Sequence, residues 1–174
     1  SLGEFTALAF SRVFSFEEGL TLVRERARLM HKAGEKKAGT MAAIIGLDPE
    51  AVMTLCIDAQ EIGVVQPANY NTPEQIVISG SVEGVQGAMK LAETRGAKRV
   101  IQLPVSGAFH SPLMATAVER FGEQLEQTPF EKGRIPVYAN VTAAPVTSIE
   151  ETRSLLHHQL THSVRWLETM QNMV

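Results

Sequence analysis

Two stretches hold residues whose types and spacing could do chemistry. The first is residues 105–114, Val-Ser-Gly-Ala-Phe-His-Ser-Pro-Leu-Met. Ser111 can cap a helix here, and Pro112 suits the first turn, where a backbone N–H has no partner to lose. His110 therefore falls just outside a helix N-terminus. The partial positive charge of that terminus disfavours a protonated imidazole. A neutral imidazole can take up a proton, as a general base must. The second stretch is Ser1-Leu2-Gly3, followed by a helical pattern. It is the second half of a nucleophile elbow, Gly-x-Ser-x-Gly, whose tight turn exposes the serine oxygen at the head of a helix. The backbone N–H of Leu2 would then face an oxyanion. The ordinary role of a serine at such a place is a helix cap, so half a motif leaves both readings open.

Three arginines, Arg24, Arg26 and Arg28, alternate along one helical segment. Neighbours two residues apart on a helix point about 200° apart. They cannot all serve one surface, so at most one or two face the core.

The bulk properties narrow the class. The chain has 174 residues, 44% apolar and 20% charged, as a globular protein of one ordinary domain or two small ones does. A net charge of −3 and no basic run argue against nucleic-acid binding. The single cysteine, Cys56, excludes an internal disulfide and fits a reducing, cytoplasmic compartment. It lies on the apolar face of a helical pattern and reads as a small buried hydrophobe. No apolar run reaches membrane-spanning length, so no membrane span is expected, nor a signal peptide. No metal site is expected. The chain opens on Ser1 without a methionine, which suggests a fragment or a processed chain.

Stepping along the chain, the spacing predicts helices over 3–12 and 16–33, the second opened by a Ser15/Glu18 capping box. Residues 34–39 read as a charged, glycine-flanked linker. Residues 40–47 read as a strand, and Asp48 caps a helix to about 59. Residues 64–69 and 75–79 form a hairpin-like pair. Ser81 caps a helix over 82–95, ended by Gly96, and 98–105 is a strand. The order βαββαβ specifies a ferredoxin-like sandwich, four antiparallel strands with two helices on one face. A helix then runs from His110 to about 127, a strand over 135–141, and helices over 149–160 and 163–173. These outer parts have too few strands to close an α/β core, and the strand over 135–141 lacks an evident partner.

Four ordered segments carry a resemblance. Ser-Leu-Gly-Glu-Phe-Thr-Ala-Leu (1–8) looks like the active-site segment of the malonyl-CoA:acyl carrier protein transacylases, Gly-His-Ser-Leu-Gly-Glu. Residues 22–30 resemble the helix whose arginine binds the substrate carboxylate. Residues 66–80 resemble the Asn-x-Asn-x-Pro-x-Gln-x-Val-Ile-Ser-Gly hairpin, and 105–114 the histidine segment. The resemblance covers nearly the whole chain. It implies an α/β fold: a partial hydrolase-like core from 1–36 and 106–174, with an inserted ferredoxin-like subdomain from 37–105. It implies transfer of a malonyl group from coenzyme A to the phosphopantetheine thiol of acyl carrier protein, through a seryl ester, in fatty-acid biosynthesis. No cofactor is implied, and a monomer is expected. Ser1 matches the nucleophile, His110 its base and Leu2 the oxyanion donor. Arg26 matches the carboxylate clamp, which suits a planar, bidentate guanidinium. Gln159 matches the glutamine whose backbone carbonyl orients the histidine. Asn69 and Asn71 match a loop near the active site, and read equally well as hairpin-turn residues.

The sequence departs from the family pattern in places. Ser163 stands where many members have proline. The Gly-His before the serine, the strand leading to it and an upstream oxyanion-holding glutamine are not in the sequence. The isolated 174-residue chain is therefore expected to be inactive or nearly so, and burst acylation of Ser1 would contradict that. Other readings are an acyltransferase domain of a multi-domain polyketide or fatty-acid synthase, a hydrolase of similar fold, and a non-enzymatic βαββαβ interaction module. Phe109 bears on specificity: the resemblance links Ala-Phe-His-Ser to malonyl selection, and a phenyl ring beside the acyl α-carbon would crowd an added methyl. A complete enzyme carrying this segment is expected to accept malonyl over methylmalonyl thioester. Equal rates with the two donors would overturn the steric argument.

Overall fold

The computed structural model describes residues 1–174 and is a mixed α/β structure. The elements in order are α1 (Leu2–Phe10), α2 (Phe16–Lys36), β1 (Thr40–Ile45), α3 (Pro49–Ala59), β2 (Val65–Thr72), β3 (Gln75–Gly80), α4 (Val82–Thr94) and β4 (Arg99–Gln102). A 3₁₀ turn (Pro112–Met114) then leads into α5 (Ala115–Gln127), α6 (Ile149–Gln159) and α7 (Trp166–Asn172). Side-chain caps start several of them. Ser15 and Glu18 form the reciprocal box that opens α2, with Glu18 N–H donating to Ser15 Oγ and Ser15 N–H to Glu18 Oε2. Asp48, Ser81 and Ser148 each accept from a backbone N–H three residues on.

The four strands form one antiparallel sheet in the order β2-β3-β1-β4. Alternation along β1 sends Ala42 and Ile44 to one face and Met41 and Ala43 to the other. The first face packs under α3 and α4, against Val52, Leu55, Cys56, Val85 and Ala88. The other face meets Leu103, Val105 and Phe109, in the segment leading to His110. Burial pushes the Cys56 thiol up to about 12, so it behaves as an inert hydrophobe. A second core joins α1, α2, α5 and α6 through Phe5, Leu8, Leu22, Leu29, Phe121, Leu125, Leu156 and Leu160. No helix is long and apolar enough to cross a membrane.

Four sequence expectations change. First, the linker over 34–39 is partly helix: α2 runs through Gly34 to Lys36. Gly34 marks a close approach instead of a break, since a Cβ there would lie 2.9 Å from the Ser106 carbonyl oxygen. Second, β4 ends at Gln102. Leu103 N–H still donates to Met41, but Pro104 has no donor with which to continue the ladder. Third, residues 135–141 form no strand of a sheet. They fold back on their own continuation through Ala139 N–H to Ala144 O, Val146 N–H to Val137 O and a Tyr138–Pro145 bridge. The N–H of Asn140, which a neighbouring strand would take, goes instead to the side chain of Glu4. Fourth, the last helix starts at Trp166, because Val164 is drawn into pairing with the edge of β2 at Ala68 and Tyr70.

Phe121 ties α5 to α1, its ring tilted against Phe5 with centroids 6.2 Å apart. It is fully buried. Phe121→Ala is expected to destabilise the protein by ~3–5 kcal/mol, measured as a shift in urea unfolding. A loss within the range of a surface substitution would show that this core repacks freely.

Candidate active site

Ser1 is the N-cap residue of α1, but its side chain makes no capping hydrogen bond. Its Oγ instead accepts from Arg26 Nη2 at 2.9 Å. The first N–H groups of a helix have no intrahelical partner. With Ser1 turned away, the Leu2 N–H lies at an open helix end, and Leu2 itself is exposed.

Arg26 comes from the core face of α2, whose buried positions include Leu22, Arg26 and Leu29. Arg24 and Arg28 point to solvent, and Arg28 pairs with Glu25. Helical geometry thus sorts the three arginines. Arg26 is 8% exposed, its guanidinium lies 5.6 Å above the Phe5 ring, and its buried Nε has no partner. Burial lowers its pKa to about 10, opposed by the charge of Glu4, so it remains a cation at neutral pH.

His110 is held from both sides. Its backbone is left-handed, with φ at 58°, a conformation that costs a non-glycine residue about 1 kcal/mol. Its carbonyl accepts from Gln66 Nε2 at 2.9 Å, and the same amide donates to Thr161 O at 3.1 Å. The imidazole is buried, with Nδ1 2.8 Å from the Gln159 carbonyl oxygen. A carbonyl only accepts, so Nδ1 carries the proton and Nε2 keeps its lone pair. Burial first, and then the Arg26 charge, lower the pKa to about 4, while the Gln159 carbonyl opposes them. His110 is therefore a neutral base at physiological pH.

Gln159 joins the two halves of the site. Its backbone carbonyl holds His110, and its side-chain Nε2 donates to Ser1 O at 3.2 Å and Glu4 Oε2 at 2.7 Å. Ser1 Oγ is bonded to Arg26 and makes no hydrogen bond to His110, a link that such sites often form only with substrate present. Phe109 is half-buried against the sheet and the helical core, and Gly107 leaves room for its ring: a Cβ there would lie 2.8 Å from Cε1. Asn71 is not drawn in. It is the bulged residue between Tyr70 and Thr72 and makes no hydrogen bond to Ser1, Arg26 or His110. Asn69 pairs with Val164. Ser163 secures its loop by donating to Pro67 O at 2.6 Å.

Three residues of this network carried no role in the sequence reading: Glu4, Gln66 and Asn140. Glu4 had a visible signal, a carboxylate between apolar positions on the buried face of α1 beside Phe5 and Leu8. Gln66 and Asn140 had none, because each acts across long sequence separations.

The model of the acyl transferase domain matches residues 1–174. The chain belongs to the acyl transferase domain family. It is 41% identical over its full length to a malonyl CoA-acyl carrier protein transacylase of Bacillus subtilis, covering 55% of that protein. It is 37% identical over 99% of its length to that of Escherichia coli K12, covering 56%. The structure superimposes on the malonyl CoA-acyl carrier protein transacylase of Coxiella burnetii with a TM-score of 0.94 at 37% identity, over 98% of this chain and 54% of that one. A malonyl-transacylase solved in complex with a type II PKS acyl-carrier protein gives 0.93 at 36% identity, over 98% and 55%. The chain spans about half the length of the curated relatives it matches.

The depressed pKa of His110 has a thermodynamic consequence in this acyl transferase segment. The folded state holds the ring neutral down to about pH 4, whereas the unfolded chain protonates it near 6.5. Its contribution is fully present above 6.5 and is lost as pH falls through about 4. At about 1.4 kcal/mol per pH unit, the window carries roughly 3 kcal/mol. Urea unfolding of the protein and its His110→Gln variant is expected to show that much less acid sensitivity in the variant between pH 6.5 and 4. Parallel pH profiles would mean that the ring titrates normally.

Proposed function

We propose that this chain carries the chemical centre of a malonyl-CoA:acyl carrier protein transacylase acting in fatty-acid biosynthesis. The observation that carries the reading is the Arg26 guanidinium against the Ser1 hydroxyl, Nη2 to Oγ at 2.9 Å, with a second donor, Nε, buried and unpartnered. A buried donor without an acceptor is costly. A carboxylate delivered beside the serine supplies two acceptors for such a fork.

In the first half-reaction, Ser1 Oγ attacks the thioester carbonyl of malonyl-CoA while His110 Nε2 takes its proton. The Leu2 N–H stabilises the oxyanion. The C–S bond breaks, and the coenzyme A sulfur leaves with the proton from His110. Malonate remains as an ester on Ser1, its free carboxylate on Arg26. In the second half-reaction, His110 takes the proton of the carrier protein's phosphopantetheine thiol. The sulfur attacks the ester carbonyl, and Ser1 Oγ departs with that proton. Both steps exchange one acyl acceptor for another, so no cofactor enters. The Gln159 carbonyl keeps His110 in the tautomer both steps need. Phe109 flanks the acyl group and disfavours a methyl branch, while only the resemblance supports a substrate role for Asn71.

The antiparallel βαββαβ order supports reading 37–105 as a ferredoxin-like subdomain inserted in a partial hydrolase-like core of 1–36 and 106–174. The relative solved with its acyl-carrier protein supports such a carrier as the partner. The reading carries a monomeric, cytoplasmic enzyme.

Assays of a protein of the relatives' full length that carries residues 1–174 test the clamp. Arg26→Ala is expected to lower kcat/KM for malonyl-CoA on the order of 100-fold, as loss of a buried charged hydrogen-bond pair does. Transfer from acetyl-CoA, which has no free carboxylate, is expected to be no slower than in the parent. Equal losses with the two donors would remove Arg26 from the substrate and leave it a structural residue.

A further inference from the structure

Glu4 lies three residues after Ser1 on the buried face of α1, and it is 6% exposed. A carboxylate in such a place needs donors, and two converge on the same oxygen. Glu4 Oε2 accepts from Gln159 Nε2 at 2.7 Å and from the Asn140 backbone N–H at 3.0 Å. Burial still raises its pKa above the ordinary value, against both hydrogen bonds.

Gln159 is fully buried, and three acceptors surround its Nε2: Glu4 Oε2, Ser1 O and Asn140 Oδ1, the last at 3.4 Å. The nitrogen of an amide only donates and its oxygen only accepts. Turning the amide over would set Oε1 against those three oxygens. The orientation is therefore fixed, although it leaves Oε1 buried without a partner. Gln159 ends α6, and its own carbonyl receives the His110 Nδ1–H. Pinning the side chain restrains its Cα, and with it the direction of that carbonyl.

We infer that Glu4 is a positioning residue: by fixing the Gln159 side chain it aims the Gln159 carbonyl at His110 and locks α1, which carries Ser1, to the end of α6. Glu4 exchanges no proton and touches no substrate. The kinetic part of this inference rests on the transacylase reading; the structural part stands without it. A carboxylate suits the position because one oxygen serves both donors. A glutamine there keeps an acceptor oxygen for both donors but loses the negative charge that strengthens the two hydrogen bonds, so Glu4→Gln is a partial replacement and Glu4→Ala a full loss.

The experiment uses a protein of the relatives' full length that carries residues 1–174. Glu4→Ala is expected to lower kcat for malonyl transfer roughly 10- to 100-fold, the range for misplacing a catalytic group by a fraction of an ångström to one ångström. KM for malonyl-CoA is expected to change less than about twofold, since Arg26 makes no hydrogen bond to Glu4 and feels only its charge. Glu4→Gln falls between. Gln159→Ala removes the amide while keeping the backbone carbonyl, and should reproduce the loss. Adding Glu4→Ala to Gln159→Ala should then slow the enzyme no further, because the two act as one unit. Additive losses would overturn the inference. In ¹H–¹⁵N spectra the His110 Nδ1–H signal, assigned by its absence in His110→Asn, should broaden or vanish in Glu4→Ala. An unchanged signal would also overturn it. If Glu4→Ala fails to fold, Glu4→Gln takes its place in the cycle and the spectra. If the parent transfers no malonyl group, the transacylase reading fails, and the imidazole signal alone decides the role of Glu4.

Discussion

The hydrogen bond from His110 Nδ1 to the Gln159 carbonyl is the constraint on which the site depends. It unites residues 49 positions apart. It selects the tautomer, sets the plane of the ring and opposes the burial that would otherwise leave the imidazole weaker still as a base. A carbonyl does this without adding a negative charge to the interior. A triad carboxylate in the same position would stabilise the imidazolium more strongly, and would need donors of its own. Here a carboxylate, Glu4, stands behind Gln159, where its charge meets an amide and a backbone N–H.

The sheet contributes by holding that bond's surroundings. One face of β1–β4 packs under two helices and the other against the segment that ends in Phe109 and His110. From the edge of β2, Gln66 donates to the His110 and Thr161 carbonyls, Pro67 accepts from Ser163, and Ala68 and Tyr70 pair with Val164. The two loops that must meet are thus stapled to one strand. This is how a left-handed histidine is kept in place, since neighbours that over-determine a strained backbone are what allow it to persist.

Much of this was legible in the sequence, and the parts that were not have a common cause. Helices and strands within 40–102 followed from local periodicity and from caps such as Asp48 and Ser81, which act within three residues. Helical spacing showed only that Arg24, Arg26 and Arg28 cannot share one surface; the resemblance singled out Arg26, which lies on the core face of α2. The failures sit where a residue's partner is distant. Residues 135–141 have a strand's composition, yet their donors and acceptors go to Glu4 and to their own return. The helix continues over 34–36, where Gly34 lets the Ser106 backbone approach closely, a contact with a partner far along the chain. Gln66 and Asn140 look like ordinary polar residues until the fold sets them beside His110 and Gln159. The resemblance pairs Ser1 with His110 as nucleophile and base, and in the resting site the Ser1 hydroxyl is bonded to Arg26.

On the transacylase reading, the contact of Arg26 with Ser1 would act as a gate on the resting site. A serine oxygen that already accepts from a guanidinium has one lone pair engaged, which blunts its attack while no substrate is present. An acyl donor bearing a free carboxylate offers Arg26 a better acceptor than a neutral hydroxyl, and drawing the cation away releases the oxygen. Recognition of the negative charge and uncovering of the nucleophile then become a single event. On the same reading, a thioester without that charge would find the serine still engaged, so discrimination would start before any bond to carbon is made.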